Sequence, residues 1–273
     1  MRQLEIRRAA VAGQFYSASA ERLKQEIKGL IEENACPEEV KAALLPHAGF
    51  MYSGKVAART VSHIKIKENL ILIGPNHTGF GTPFSIMTEG LWQSPLAEVQ
   101  INSKLANSIL DKSKYLERDS LAHLHEHCLE VELPLFQYYK SDFQIVPIVV
   151  TTEKILTYKE IACAIANAVE EQNIKDSVVI IASSDLTHYE PQAQAQKKDK
   201  YAIEAILELN ETKLIEMVEK FNISMCGWAA VVIMLLAAKL LGASKAQLLN
   251  YATSGDVSGE YGSVVGYAGI IIN

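Results

Sequence analysis

Three stretches of the chain share one hydrophobic design. Ala43-Leu44-Leu45, Leu70-Ile71-Leu72-Ile73 and Val178-Val179-Ile180-Ile181-Ala182 are short aliphatic runs bounded by Gly, Pro or Ser. Such runs read as buried strands, parallel where helices flank them. Each is followed by a histidine, in Pro46-His47-Ala48-Gly49, Gly74-Pro75-Asn76-His77 and Ser183-Ser184-Asp185-Leu186-Thr187-His188. The histidines therefore stand past the carboxyl ends of their strands, the edge at which open α/β sheets bind ligands.

The rest of the pattern supplies helices and further strands. An irregular arm over residues 7–17 precedes a helix over 19–33, where Leu23, Ile27, Leu30 and Ile31 share a face. The strand at 41–46, a turn-rich loop from Pro46 to Gly54, a helix at 54–64 and a strand at 69–74 form a strand–helix–strand unit. A right-handed parallel crossover would put His47 and His77 on one sheet edge. Residues 78–100 read as a β-rich excursion broken at Thr82-Pro83 and Ser94-Pro95, with an edge strand from Ala97 to Ile101. Helices follow at 102–112, 126–139 and 153–171, with a strand from Phe143 to Val150 between the last two. The segment from Tyr115 to His127 is polar. Past the strand at 178–183 come helices at 192–207, 211–220 and 228–241, the last with Gly242 as its C-cap. Strands at 247–253 and 263–272 close the chain. No internal repeat or linker interrupts this order. The expected fold is a single-domain, three-layer α/β/α arrangement with a mixed, largely parallel central sheet.

Composition excludes several function classes. Of 273 residues, 49% are apolar and 21% charged, ordinary for a globular protein. A net charge of −6 gives no electrostatic footprint for nucleic acid or an anionic membrane. The longest apolar run, Trp228 to Ala238, is short of the roughly 18 residues that a membrane helix needs. The start, Met1 to Arg8, has no apolar signal core, which argues for a cytoplasmic protein. Cys36, Cys128, Cys163 and Cys226 are scattered and form no CxxC pair, so free thiols are expected.

Imidazole binds metals and moves protons near neutrality. The agreement in position of His47, His77 and His188 therefore marks a metal or acid/base site. Asp185, three residues before His188, could orient that ring or cap a turn. Glu126, His127, Glu130 and Glu132 form an acidic cluster. On a helix, Glu126 and His127 would each share a face with Glu130, either to support a metal site or as a solvated helix start.

Together these motifs resemble the Memo family, which is homologous to class III extradiol dioxygenases of the non-haem iron type. The likeness rests on Pro46-His47-Ala48-Gly49, Gly74-Pro75-Asn76-His77, Glu126-His127 with Glu130, Ser183-Ser184-Asp185 with His188, and Cys226-Gly227. It spans roughly residues 7–270. The resemblance implies that His47, His77 and Cys226 are metal ligands, with Cys226 in place of the dioxygenase carboxylate. It puts His188 in the acid/base position with Asp185 beside it, while Glu126, His127 and Glu130 keep the two readings given above. A thiolate favours Fe(II), copper or zinc over Mg or Ca, and a helix start would lower the Cys226 pKa. The implied function is a metal-dependent redox protein of unknown substrate. A zinc hydrolase and a non-catalytic adaptor that binds peptides or partners, as animal members bind phosphotyrosine peptides, are the alternatives. Prokaryotic relatives suggest a functional link to radical-SAM and AMMECR-type proteins. Gly227-Trp228-Ala229 departs from the Gly-Arg-His-Pro of animal members.

Overall fold

A computed structural model describes residues 5–273. Of the segment read as lacking a signal core, residues 1–4 lie outside the described residues. In chain order the elements are β1 (Ile6–Arg7), α1 (Ala20–Leu30), β2 (Ala42–Leu45), α2 (Phe50–Ser62), β3 (Asn69–Pro75), β4 (Phe84–Ile86), β5 (Leu91–Gln93), β6 (Glu98–Ile101), α3 (Ser103–Lys112), β7 (Glu117–Arg118) and α4 (Leu121–Leu124). They continue with α5 (Leu133–Tyr139), β8 (Gln144–Val150), α6 (Ile155–Glu171), β9 (Val178–Ser183), β10 (His188–Glu190), α7 (Gln192–Leu207), α8 (Glu211–Phe221), α9 (Trp228–Leu240), β11 (Ala246–Thr253), α10 (Gly255–Ser258) and β12 (Val264–Ile272).

The aliphatic runs occupy the middle of one mixed sheet. β3 lies between β8 and β9, and β2 follows β9, all parallel. β12 then runs antiparallel to β2 and pairs with β11. Every residue of β2, β3 and β9 is buried, as expected of strands covered on both faces. The unit β2–α2–β3 is parallel as the spacing predicts, but β9 inserts between its two strands. All three histidine-bearing ends still meet at the same edge.

Helices cover both faces. α2 packs on β2, β11 and β12 and is flanked by α1 and α5, while α9 packs on β9, β3 and β2 and is backed by α6 and α8. The α9 sequence is apolar on every face up to its last turn because that stretch is enclosed: Val231, Ile233, Met234 and Leu235 are all buried. Its end carries the expected cap. Gly242 has φ +88°, its N–H bonds Lys239 O, and the Ala243 N–H bonds Ala238 O, the paired bonds of a Schellman motif. Among the described residues no helix is long and apolar enough to cross a membrane.

Two elements differ from the sequence pattern. Helix α2 begins at Phe50, four residues before the expected start. The Gly-rich string there is its first turn: the Ser53 N–H bonds Gly49 O, and the Phe50 N–H is claimed by Phe15 O of the N-terminal arm. The helix expected over 126–139 exists only from Leu133 to Tyr139. Pro134 lacks the N–H that a continuous helix would use and instead sits in the first turn, where none is needed. Residues 126–132 form a compact turn, and this rearranges the acidic cluster.

Candidate metal centre

His47 follows β2 and is almost completely buried. Its backbone N–H donates to Asp185 Oδ1 at 2.9 Å, and its ring Nδ1 lies 2.8 Å from Ser183 Oγ. Ser183 Oγ donates its own proton to Cys128 O at 2.8 Å, so it accepts from His47 Nδ1–H. That fixes the tautomer and leaves Nε2 as a bare lone pair, 3.3 Å from Cys226 Sγ. Burial, then the neighbouring His77 and His127, hold the His47 pKa well below its usual value. The ring is neutral, the state a ligand needs.

His77 follows β3 and keeps a partly exposed side chain. Its N–H donates to Glu126 Oε2 at 2.6 Å and its Nδ1 lies 2.9 Å from Glu126 Oε1. Glu126 also accepts the backbone N–H groups of His127 at 2.9 Å and Cys128 at 3.0 Å. Burial alone would raise the Glu126 pKa, but the hydrogen bond and charge of His77 and the backbone donors hold it at about 2. A carboxylate tied to Nδ1 leaves Nε2 for a metal and sharpens its basicity. His77, Glu126 and His127 also fall within reach of one another as a group. With its oxygens committed to three backbone N–H groups and the His77 ring, Glu126 acts as a brace.

Cys226 precedes Gly227, the N-cap of α9. Close packing sets this junction: a Cβ on Gly227 would meet Ser183 O at 2.3 Å and Ser184 Cβ at 2.7 Å. Only glycine lets the helix start this near β9. The Gly227 N–H at the helix start does lower the thiol pKa, as expected, but burial outweighs it. Cys226 lies outside the first turn, and burial, with the nearby Asp185 charge, pushes it up to about 12. The thiol keeps its proton until a cation displaces it. The ligand atoms of His47, His77 and Cys226 all lie within 4.8 Å of one another. Two imidazole Nε2 atoms with fixed tautomers and one convergent sulfur fit a soft or borderline metal ion.

His188 opens β10. Its Nδ1 lies 2.7 Å from Leu186 O and 2.8 Å from Ser224 O, and its N–H donates to Ser224 Oγ at 2.7 Å. Two carbonyl acceptors require Nδ1–H, so Nε2 is the basic nitrogen. Asp185 is placed differently from the expectation that it sits beside His188 to orient it. Carbonyls hold that ring, while Asp185 accepts from the His47 backbone, and burial raises its pKa to about 6.

The His47, His77 and His127 rings cluster, with centroids 5.1 Å (His47–His77), 5.5 Å (His47–His127) and 4.8 Å (His77–His127) apart. They floor a cavity of about 730 Å³, which His188, Asp185 and Cys226 also line. Its walls include Phe15, Met51, Tyr52, Tyr189 and Tyr267, and no Lys or Arg. Tyr189 is held at φ +59° and is 77% exposed, a conformation rare for an aromatic residue.

Glu130 lies apart from the ligands. It forms a buried ion pair with Arg7 and accepts from Tyr16 OH at 2.6 Å, Ala10 N–H at 2.7 Å and Val11 N–H at 3.0 Å. It therefore anchors the N-terminal arm, which carries Phe15 to 4.9 Å from the His127 ring. Its support is to the cavity wall, at a distance from the metal ligands. Ser183, Gln14, Phe15 and Tyr189 were not visible as site residues in the sequence. Ser183 alone had a local signal, its place at the end of an aliphatic run.

A family model described as Memo-like protein matches residues 7–271. A MEMO1 family protein of Methanopyrus kandleri is 43% identical, covering 97% of this chain and 98% of its own. Another from Methanosarcina mazei is 41% identical, covering 98% and 100%. In fold, the chain is similar to the crystal structure of the uncharacterized protein JW3007 from Escherichia coli K12, with a TM-score of 0.60 at 12% identity, covering 85% of this chain and 99% of that one. On the family model and these near full-length relatives, this chain belongs to the Memo-like family.

Proposed function

We propose that this chain is a metal-binding redox protein in which His47, His77 and Cys226 hold one iron or copper ion. The observation that carries the reading is the convergence of one ring nitrogen from each of His47 and His77 and the Cys226 thiol within 4.8 Å, at the floor of an open cavity. Bound there, the ion would supply one-electron and Lewis-acid chemistry with positions left open for a substrate. Ser183 and Glu126 fix the two imidazole tautomers. His188, with Nδ1–H tied to carbonyls, presents Nε2 as the group that takes or gives a proton to a substrate in the cavity. Asp185 holds the His47 backbone and, with a pKa near 6, is a second proton-active group on the same wall. The physiological substrate is a small molecule, and a cytoplasmic role alongside radical-SAM and AMMECR-type proteins fits the family.

A second reading, docking of a partner or peptide without turnover, draws on Met51 at 65% and Tyr189 at 77% exposure on the cavity wall. Zinc with hydrolytic chemistry is a third, because the same donor set suits it. Elemental analysis of protein purified without oxygen separates them. The redox reading expects stoichiometric iron or copper, lost in His47→Ala and Cys226→Ala with far-UV circular dichroism unchanged. Equal metal content in wild type and both variants would sink it. Zinc with hydrolysis would favour the third reading, and no metal with a co-purifying partner the second.

A further inference from the structure

Glu132 is the one carboxylate of the 126–132 turn that braces nothing. It is fully buried, and neither side-chain oxygen has a hydrogen-bond partner among the described residues. Glu126 and Glu130, in the same turn, are saturated with donors. Burial pushes the Glu132 carboxyl well above the usual range, and the Asp185 charge adds to it; the neighbouring Ser183 hydroxyl is already given to Cys128 O and leaves Glu132 unbonded. The Cys128 thiol shares its field. A neutral, unpaired acid in a core costs stability and gives the fold no bond in return. Its neighbour Ser183 is the residue that accepts from His47 Nδ1–H, so Glu132 stands one serine behind a metal ligand. Donors hold the Glu126 carboxyl low, whereas Glu132 has none and burial pushes it up.

We propose that Glu132 is a proton carrier for the metal centre, holding its proton while the centre is reduced and releasing it to solvent when the centre is oxidised by one electron. This rests on the metal-centre reading above. The step balances. One electron leaves the centre for an external one-electron acceptor, the Glu132 O–H bond breaks, its electron pair stays on the carboxylate, and one proton leaves. The charge buried behind His47 rises by one and falls by one, so the low-dielectric interior carries no added charge.

The test uses the whole protein loaded with Fe(II) without oxygen and oxidised with ferricyanide. Iron content is measured first, and a wild-type protein that takes up no iron overturns the metal-centre reading itself. In loaded wild type, the reduced-minus-oxidised infrared difference spectrum should show a protonated-carboxyl C=O band lost on oxidation. That band should be absent in Glu132→Gln, which keeps its iron. The oxidised-to-reduced ratio should shift tenfold per pH unit in wild type, about 59 mV, and be flat in Glu132→Gln. Metal-free Glu132→Gln should melt no lower than wild type. A wild-type band that persists through oxidation overturns the inference whether or not the variant folds. So does a pH slope that survives in Glu132→Gln, while the metal-centre reading stands in both cases.

Discussion

His47 and His188 both stand just past a β-strand, both have Nδ1 fixed as a donor, and both line the same cavity. Their surroundings divide them. His47 is enclosed, tied through the Ser183 hydroxyl to Cys128 O, and faces a sulfur at 3.3 Å. His188 sits half-buried at the edge of the sheet on the short, bulged β10, tied to two backbone carbonyls, and among the described residues it joins no group of converging ligand atoms. A neutral ring beside other donor atoms is suited to hold an ion. A ring on the same cavity with no other donor beside its Nε2 is suited to exchange protons with a substrate. The same strand-end motif thus yields two chemistries, decided by what tertiary structure packs around each ring.

The sharpest way to break this division is through proton release. Cys226, at about 12 when empty, must lose its proton to bind a metal. Apparent affinity should then rise roughly tenfold per pH unit across the neutral range, about 100-fold over two units. Chelator competition titrations should show that slope in wild type and its disappearance in Cys226→Ser, which keeps the ion without a thiol proton to release. Next in size is Glu126→Gln. Removing the carboxylate behind His77 should weaken metal binding about 10–100-fold in the same titration, with the metal still bound at saturation. Ser183→Ala should act on His47 in the same way but less, about tenfold at the low end of that range, because a hydroxyl polarises the ring less than a carboxylate does. His188→Ala marks the other end of the scale. Metal content and affinity should be unchanged by elemental analysis and titration, whereas any proton-linked turnover that is found should fall by about 10²–10⁴-fold. A loss of metal in His188→Ala would abolish the distinction between the two rings.

Much of this architecture was legible in the aliphatic runs. β2, β3 and β9 appear as expected because fully buried parallel strands leave an unbroken apolar signature. Their ends therefore located His47, His77 and His188. The turn at 126–132 was not legible. Leu129, Leu133 and Phe136 mimic helical spacing, and the partners that define the turn lie far away in sequence. Glu130 answers to Arg7, Tyr16, Ala10 and Val11, more than a hundred residues earlier. Asp185 was drawn toward His188 by proximity in sequence, while its hydrogen bond runs to His47, 138 residues away. Cys226 has no local pattern to separate it from a core thiol. It stood out through family likeness, and the fold brings it to His47 across 179 residues.

The central claim is that one thiolate and two imidazoles share an ion. X-ray absorption at the metal edge of protein loaded without oxygen tests it most directly. The account predicts one sulfur scatterer, two imidazole nitrogens, and loss of the sulfur shell alone in Cys226→Ser. A wild-type spectrum with only oxygen and nitrogen neighbours would contradict it.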